Sequence, residues 1–240
     1  MKNLILLSLA FVSFSCSAQW GKGVKGNGHM VGIERTVGNY DAVAVSGWFD
    51  VDLVSGNEGE LVIKGEENLL KHIITKVEQG KLIIKVERGV NLKPSLRNKS
   101  IQIKVPIESI DALSLSGSGD IVGHVTLNTP QLTTSMSGSG DITIDVDTDT
   151  LTATMSGSGD MNLSGNTHHF QASISGSGDI KAYELEADIV EATVSGSADI
   201  KLTAHEKLKA RVSGSGDISY RGNPTKVDSK VSGSGDISKE

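Results

Sequence analysis

Ser116-Gly117-Ser118-Gly119-Asp120 returns unchanged at residues 137–141, 156–160, 175–179, 213–217 and 232–236. Ser195-Gly196-Ser197-Ala198-Asp199 completes seven copies. The aspartates fall at 120, 141, 160, 179, 199, 217 and 236, in steps of 21, 19, 19, 20, 18 and 19 residues. Such a period marks stacked supersecondary units, none of which buries its apolar face alone. A repeat array grows in one dimension, so the 240 residues predict one domain.

Residues around each motif alternate. In the second copy Leu132, Thr134, Met136, Gly138, Gly140, Ile142, Ile144 and Val146 share one parity. In the third, Leu151, Ala153, Met155, Gly157, Gly159, Met161 and Leu163 do the same. A side-chain period of two is that of a strand, so one parity faces an interior. The motif glycines then point inward, and its serines and aspartate point outward. Inward glycine is expected where opposite walls approach closely or the chain bends at a corner; a turn with positive φ is the alternative. Ala198 weighs against positive φ at the second glycine, because alanine avoids it.

The fold predicted is all-β: a single-stranded parallel β-solenoid, right-handed and β-helix-like, with coils of about 19 residues. Each coil is a strand into the motif, a bend, a second strand of the type Asp-Ile-x-Leu/Ile, and a polar return loop. Residues 147–150, 165–168 and 222–225 are such loops. Equivalent strands would stack ~4.8 Å apart.

Upstream, Val43, Val45, Gly47, Phe49, Val51 and Leu53 alternate. Ser46-Gly47-Trp48-Phe49-Asp50-Val51 reads as a degenerate first copy. Residues 60–64 form a strand, and residues 66–74 are the one helix candidate, with Leu69, Leu70 and Ile73 on one face and Glu66 and Glu67 in the first turn. Strands at 75–77 and 81–86 flank a Gln79-Gly80 turn. A polar loop over 87–98 and an alternating strand over 101–107 follow, with Pro106 on the outward parity of an edge. Residues 36–110 are thus the capping part and 111–240 the repeats of one domain, preceded by a Gly-rich stretch at 19–35 that reads as a tether or as adding an edge strand near 30–33.

Residues 1–18 read as an export signal, with Lys2 before an apolar run over 4–14 that is too short to span a bilayer. Two cleavage patterns compete. Cys16 and Ala18 suit a cut before Gln19, whereas Ser15-Cys16 resembles a lipobox in which Cys16 is lipidated. That lipid would be the sole membrane contact. Cys16 is the only cysteine, so no structural disulfide forms. With 29 acids against 23 bases, the formal charge of −6 argues against nucleic acid and anionic lipid as partners. Aromatics at 4% imply a core of small and β-branched side chains.

The outward stripe is the candidate ligand surface: Asp120, Asp141, Asp160, Asp179, Asp199, Asp217 and Asp236, with Ser118, Ser139, Ser158 and Ser177. Stacked carboxylates repel, and a cation such as calcium would relieve that. The favoured reading needs no cofactor: each aspartate accepts hydrogen bonds from serine hydroxyls or from backbone N–H groups at the bend. Calcium-binding toxin repeats carry their aspartate in Gly-Gly-x-Gly-x-Asp at about nine-residue spacing, unlike this motif. Trp48 is either an exposed binding aromatic or packs under the helix. His168 and His169 are strand neighbours that point apart and cannot chelate together. Asp145, Asp147 and Asp149 share an outward parity and read as a solvated acidic face. Gly-Ser-Gly here is repeat grammar, not a nucleophile elbow. No catalytic or metal-ligating residue is assigned.

Two sets of residues carry a family resemblance over about residues 36–237. One is Val45-Ser46-Gly47, Asp50-Val51, Asn68-Leu69-Leu70, Ile73, Thr75, Val77, Gly80, Leu82 and Ile84; the other is the repeated Ser-Gly-Ser-Gly-Asp-Ile. Together they resemble the head GIN domain family of auto-transporter adhesins, exported bacterial proteins of unknown function. The resemblance implies a β-solenoid. The expectation is an exported, non-enzymatic, adhesin-like binding or scaffold protein presenting Ser/Asp ladders to an unknown cell-surface protein or glycan. It would be anchored at the outer membrane or lie free in the periplasm or outside. A carbohydrate-active β-helix enzyme is the first alternative. An envelope scaffold is the second, a homo-oligomer pairing through solenoid ends, where residues 231–237 leave an unpaired edge.

Overall fold

The computed structural model describes residues 22–95 and 100–240. The expected leader, its Cys16 and the first residues of the tether lie outside the described residues. The described residues are strands joined by turns and short connections, with one short helix.

The described residues begin with β1 (Lys22–Lys25) and β2 (Met30–Thr36), so most of the expected tether that is described is strand. β3 (Ala42–Gly47) and β4 (Asp50–Ser55) flank the degenerate motif. An excursion follows: β5 (Glu60–Glu66), α1 (Glu67–Leu70), β6 (Ile73–Glu78), β7 (Lys81–Val86), β8 (Val90–Lys93) and β9 (Gln102–Ile107). The helix is a single turn whose Leu69 and Leu70 are buried. It stops short of the expected Ile74 because Ile73-Ile74-Thr75 is β-branched and finds a strand partner in β7. The turn between β6 and β7 has Gln79 at φ 51° and Gly80 at φ 73°, as a two-residue hairpin requires. β8, in the expected polar loop, pairs with β1.

The repeats supply β10 (Ala112–Gly117), β11 (Ile121–Asn128), β12 (Gln131–Gly138), β13 (Ile142–Gly157), β14 (Met161–Gly176), β15 (Asp179–Ala182), β16 (Leu185–Gly196) and β17 (Asp199–Thr203). β18 (Lys207–Gly214), β19 (Ile218–Arg221), β20 (Lys226–Gly233) and β21 (Ile237–Lys239) complete the stack. All pairings among these strands are parallel and place motif on motif: Gly117 opposes Gly138, Gly138 opposes Gly157, and Gly157 opposes Gly176. The degenerate copy is the first full coil, since Gly47 opposes Gly117 and Val51 opposes Ile121.

Beneath that coil lies one more layer, assembled from strands that are not adjacent in sequence. β7 runs parallel under β3, and β9 runs parallel under β4. Antiparallel strands then close this end: β6 on β7, β5 on β9, and β2 on β5. Solenoids need such caps because a bare coil exposes core and backbone alike. Pro106 sits beyond the stretch of β9 that pairs with β5, so its missing N–H breaks no bond there, although its ring is buried.

The inward parity is the core. Leu132, Leu151, Phe170, Val190 and Leu208 form one column, each fully buried. Burying each such side chain contributes ~1.5–3 kcal/mol against the entropy of ordering the chain. The return segments at 147–150 and 165–168 are not loops. Thr148, Thr167 and Ala187 stack inward in register within continuous strands. The Thr148 and Thr167 hydroxyls donate to the carbonyls of Thr150 and His169, both at 3.2 Å. Residues 222–225 do form a turn.

Candidate functional site

At the motif corner the backbone turns, and the structure shows what each residue does there. The first glycine of each motif has φ between +127° (Gly196) and +155° (Gly157). A Cβ on Gly157 would lie 1.9 Å from the carbonyl oxygen of Gly138 in the preceding coil; one on Gly159 would lie 1.8 Å from that of Gly140. The close approach is therefore between consecutive coils, not between opposite walls, and the first glycine also needs its positive φ. Ala198 occupies the second position, and aspartate contacts to its neighbour are long there, at 3.3 Å.

The aspartates complete the ladder. The N–H of Asp160 donates to the carboxylate of Asp141 at 2.8 Å, and that of Asp141 donates to Asp120 at 3.0 Å. Asp179, Asp199, Asp217 and Asp236 donate in turn to Asp160, Asp179, Asp199 and Asp217 at 2.7–3.3 Å. In the other direction Ile142 donates its N–H to the Asp160 carbonyl at 2.9 Å. Next to it, Ser158 donates its N–H to the Gly138 carbonyl at 2.8 Å. The carboxylates of Asp120, Asp141, Asp160, Asp179, Asp199 and Asp217 thus stand in for the backbone carbonyl that the turn has swung away, in a charge-assisted bond. Asp160 also holds Lys181 at 2.5 Å, which raises the lysine pKa. Ser118, Ser139, Ser158 and Ser177 lie in an exposed column beside the carboxylates. Trp48 is half-buried and tilts against Phe49 with ring centroids 5.8 Å apart, rather than standing free.

A second feature lies on the return wall. A groove of about 520 Å³ crosses five coils, and no lysine or arginine lines it. Asp147 opposes Asn166, which opposes Glu186, while Asp149, His168 and Asp188 form the neighbouring row. His168 Nδ1 lies 2.8 Å from Asp188 Oδ2, and His205 Nε2 lies 2.5 Å from Glu186 Oε2. The bond to Asp188 raises the His168 pKa, with the Asp188, Glu206 and Asp149 charges adding to it and desolvation opposing. The parity of Asp147 and Asp149 was visible in the sequence. The convergence of His168, Asp188, His205 and Glu186 was not, because steps of 18 to 21 residues conceal the register at the return wall. His168 and His169 do point apart: the first is exposed in the groove and the second half-buried. Among the described residues no group of three His, Cys, Asp or Glu side chains is placed to hold a metal ion.

Stacked parallel coils, a glycine corner and an antiparallel cap define a single-stranded β-solenoid. Residues 39–224 match the family described as "Putative auto-transporter adhesin, head GIN domain", and the chain belongs to that family. A "putative adhesin" from Bacteroides fragilis shares the fold with a TM-score of 0.82 at 24% identity, over 91% of this chain and 100% of its own. A "putative lipid binding protein" from Parabacteroides distasonis has a TM-score of 0.76 at 24% identity, over 91% and 100%. A "putative adhesin" from Parabacteroides merdae has a TM-score of 0.73 at 21% identity, over 91% and 99%. No curated protein sequence matches the chain.

Proposed function

We propose that the chain is an exported, non-enzymatic, adhesin-like binding protein whose ligand face is the return-wall groove rather than the Ser/Asp corner. One observation carries this reading. The corner carboxylates accept the chain's own N–H groups, whereas Asp147, Asp149 and the two histidine–acid pairs are presented outward around one concavity. Carboxylates without a lysine or arginine among them favour a partner carrying basic groups, such as a lysine-rich segment of a surface protein. A lipid, the ligand suggested by one neighbour's description, would have to lie outside the stack, because the Leu132 to Leu208 column fills its axis. Lipidation of Cys16 would tether the module to a membrane and is read directly from the mass of the mature N-terminus.

Calorimetric titration with oligolysine tests the groove. Binding is expected to weaken with salt, to fall in Asp149→Asn and Asp188→Asn, and to persist in Ser158→Ala. Loss in the Ser158 variant with the groove variants intact would move the site to the corner. Binding of neutral glycans in place of oligolysine would replace the ligand class.

A further inference from the structure

β18 is flanked by β16 and β20, but among the described residues β20 has a strand neighbour on one side only. The consequence shows in the core columns. Leu208 and Val212 of β18 are 0% and 3% exposed, whereas Val227 and Val231, stacked on them, are 44% and 40% exposed. The backbone is equally bare. The Lys226 N–H points back to the Glu206 carbonyl of the preceding coil. Strand alternation then turns the N–H and C=O groups of Val227, Ser229 and Val231 toward the open edge.

We propose that this edge pairs with a second copy of the chain, β20 against β20, antiparallel about a two-fold axis through Ser229. The strand Lys226-Val227-Asp228-Ser229-Lys230-Val231 is self-complementary in that register. Val227 faces Val231 of the second copy, and Asp228 faces Lys230. The outward-turned backbone groups of Val227, Ser229 and Val231 meet their counterparts. Centring on Asp228 instead sets aspartate on aspartate and Lys226 on Lys230; centring on Lys230 sets lysine on lysine. Like charges directly opposite are destabilising, and a shift that mixes parities would turn the valines to the wrong face. Lysines on an edge normally discourage pairing; here Asp228 neutralises Lys230 in one register alone. Asp228 also holds Arg211 of β18 at 2.6 Å, so its side chain is ordered. The other end of the stack is closed by antiparallel strands, which makes a closed two-fold dimer the outcome rather than a filament.

Sedimentation of the full chain over a concentration series is the test. A monomer–dimer equilibrium is expected. Lys230→Asp is expected to raise the dissociation constant by about tenfold, and adding Asp228→Lys to it is expected to restore pairing. Ser229→Pro removes an edge-facing N–H and is expected to give a monomer with unchanged melting temperature. In a Cys16→Ser chain, Ser229→Cys is expected to cross-link to itself on oxidation, since residues paired across such an axis sit about 5.5 Å apart at Cα. A wild-type monomer at every concentration overturns the proposal. So does a dimer indifferent to Lys230→Asp and Ser229→Pro, or one that fails to cross-link through residue 229.

Discussion

The carboxylate of Asp141 accepts the backbone N–H of Asp160, 19 residues on, at 2.8 Å, and the same contact recurs from coil to coil. It explains why the motif ends in an acid without invoking a ligand. The glycine corner removes a backbone acceptor from the ladder, and only a short side chain with an oxygen can replace it. Asp141→Ala is expected to cost about 1–2 kcal/mol, the typical penalty for an unmet donor. Asp141→Asn, which keeps an acceptor, is expected to cost less than half as much. Equal losses in denaturant melts of the two variants would show that charge, not the bond, matters.

The two glycines of one motif should differ in tolerance. Gly157 has φ +155° and a backbone oxygen 1.9 Å from its would-be Cβ. Gly159 faces a similar contact without the positive φ, and Ala198 fills its equivalent position. Gly157→Ala is expected to destabilise by ~1–3 kcal/mol or more, Gly159→Ala by less, and Ser158→Leu, on the exposed column, by under ~0.5 kcal/mol. Thermal denaturation of the three variants gives the order directly.

Those glycines also mark what the sequence could reveal. Parity along Leu151, Ala153, Met155 and Gly159 was enough to find the buried positions, because period-two alternation survives small changes in coil length, whereas Gly157 on the same parity is only half-buried. It could not say that the glycines face the coil below rather than the wall opposite, since parity carries no information along the stacking axis. The cap was less legible still. Leu82 under Val43 and Ile103 under Val51 form one layer, yet 21 residues separate them in sequence. Tertiary pairing also overrode the local helical pattern at Ile73. At the candidate site, the hydrogen bonds of the corner aspartates to the next coil needed the register to be seen.

Binding in the groove should depend on pH through His168. Its pKa is raised by the bond to Asp188, so at low pH the imidazolium cancels a carboxylate that a cationic ligand would use. Oligolysine affinity is expected to rise as pH climbs through the His168 pKa, for example between about pH 5.5 and about pH 8. His168→Gln is expected to bind more tightly than the wild type at low pH and to show a weaker dependence, with His205 beside Glu186 still present in the groove. Affinity that falls with rising pH would contradict the charge argument.

Tyr40 should govern part of the alkaline limit of stability. It is 1% exposed, and its hydroxyl donates to the carbonyl of Pro106, tying the start of β3 to the end of β9. Burial first, and the Glu58 charge to a lesser degree, push its pKa up from 10 to about 12, against a lowering by a backbone bond from Gly59. A phenol whose folded pKa is raised stabilises fully below its unfolded pKa, and that contribution is lost as pH rises through the folded value. The shift corresponds to about 2–3 kcal/mol by linkage. Tyr40→Phe is expected to cost about 1 kcal/mol near neutrality, because the Pro106 carbonyl loses its donor. Other groups titrate in the same range, so the informative quantity is the stability difference between wild type and Tyr40→Phe at each pH. That difference is expected to shrink and then reverse between about pH 10 and about pH 12, as the wild type, but not the variant, has to bury or expel a phenolate. A constant difference across that window would mean that the tyrosine ionises without cost and that its hydroxyl is not held at Pro106.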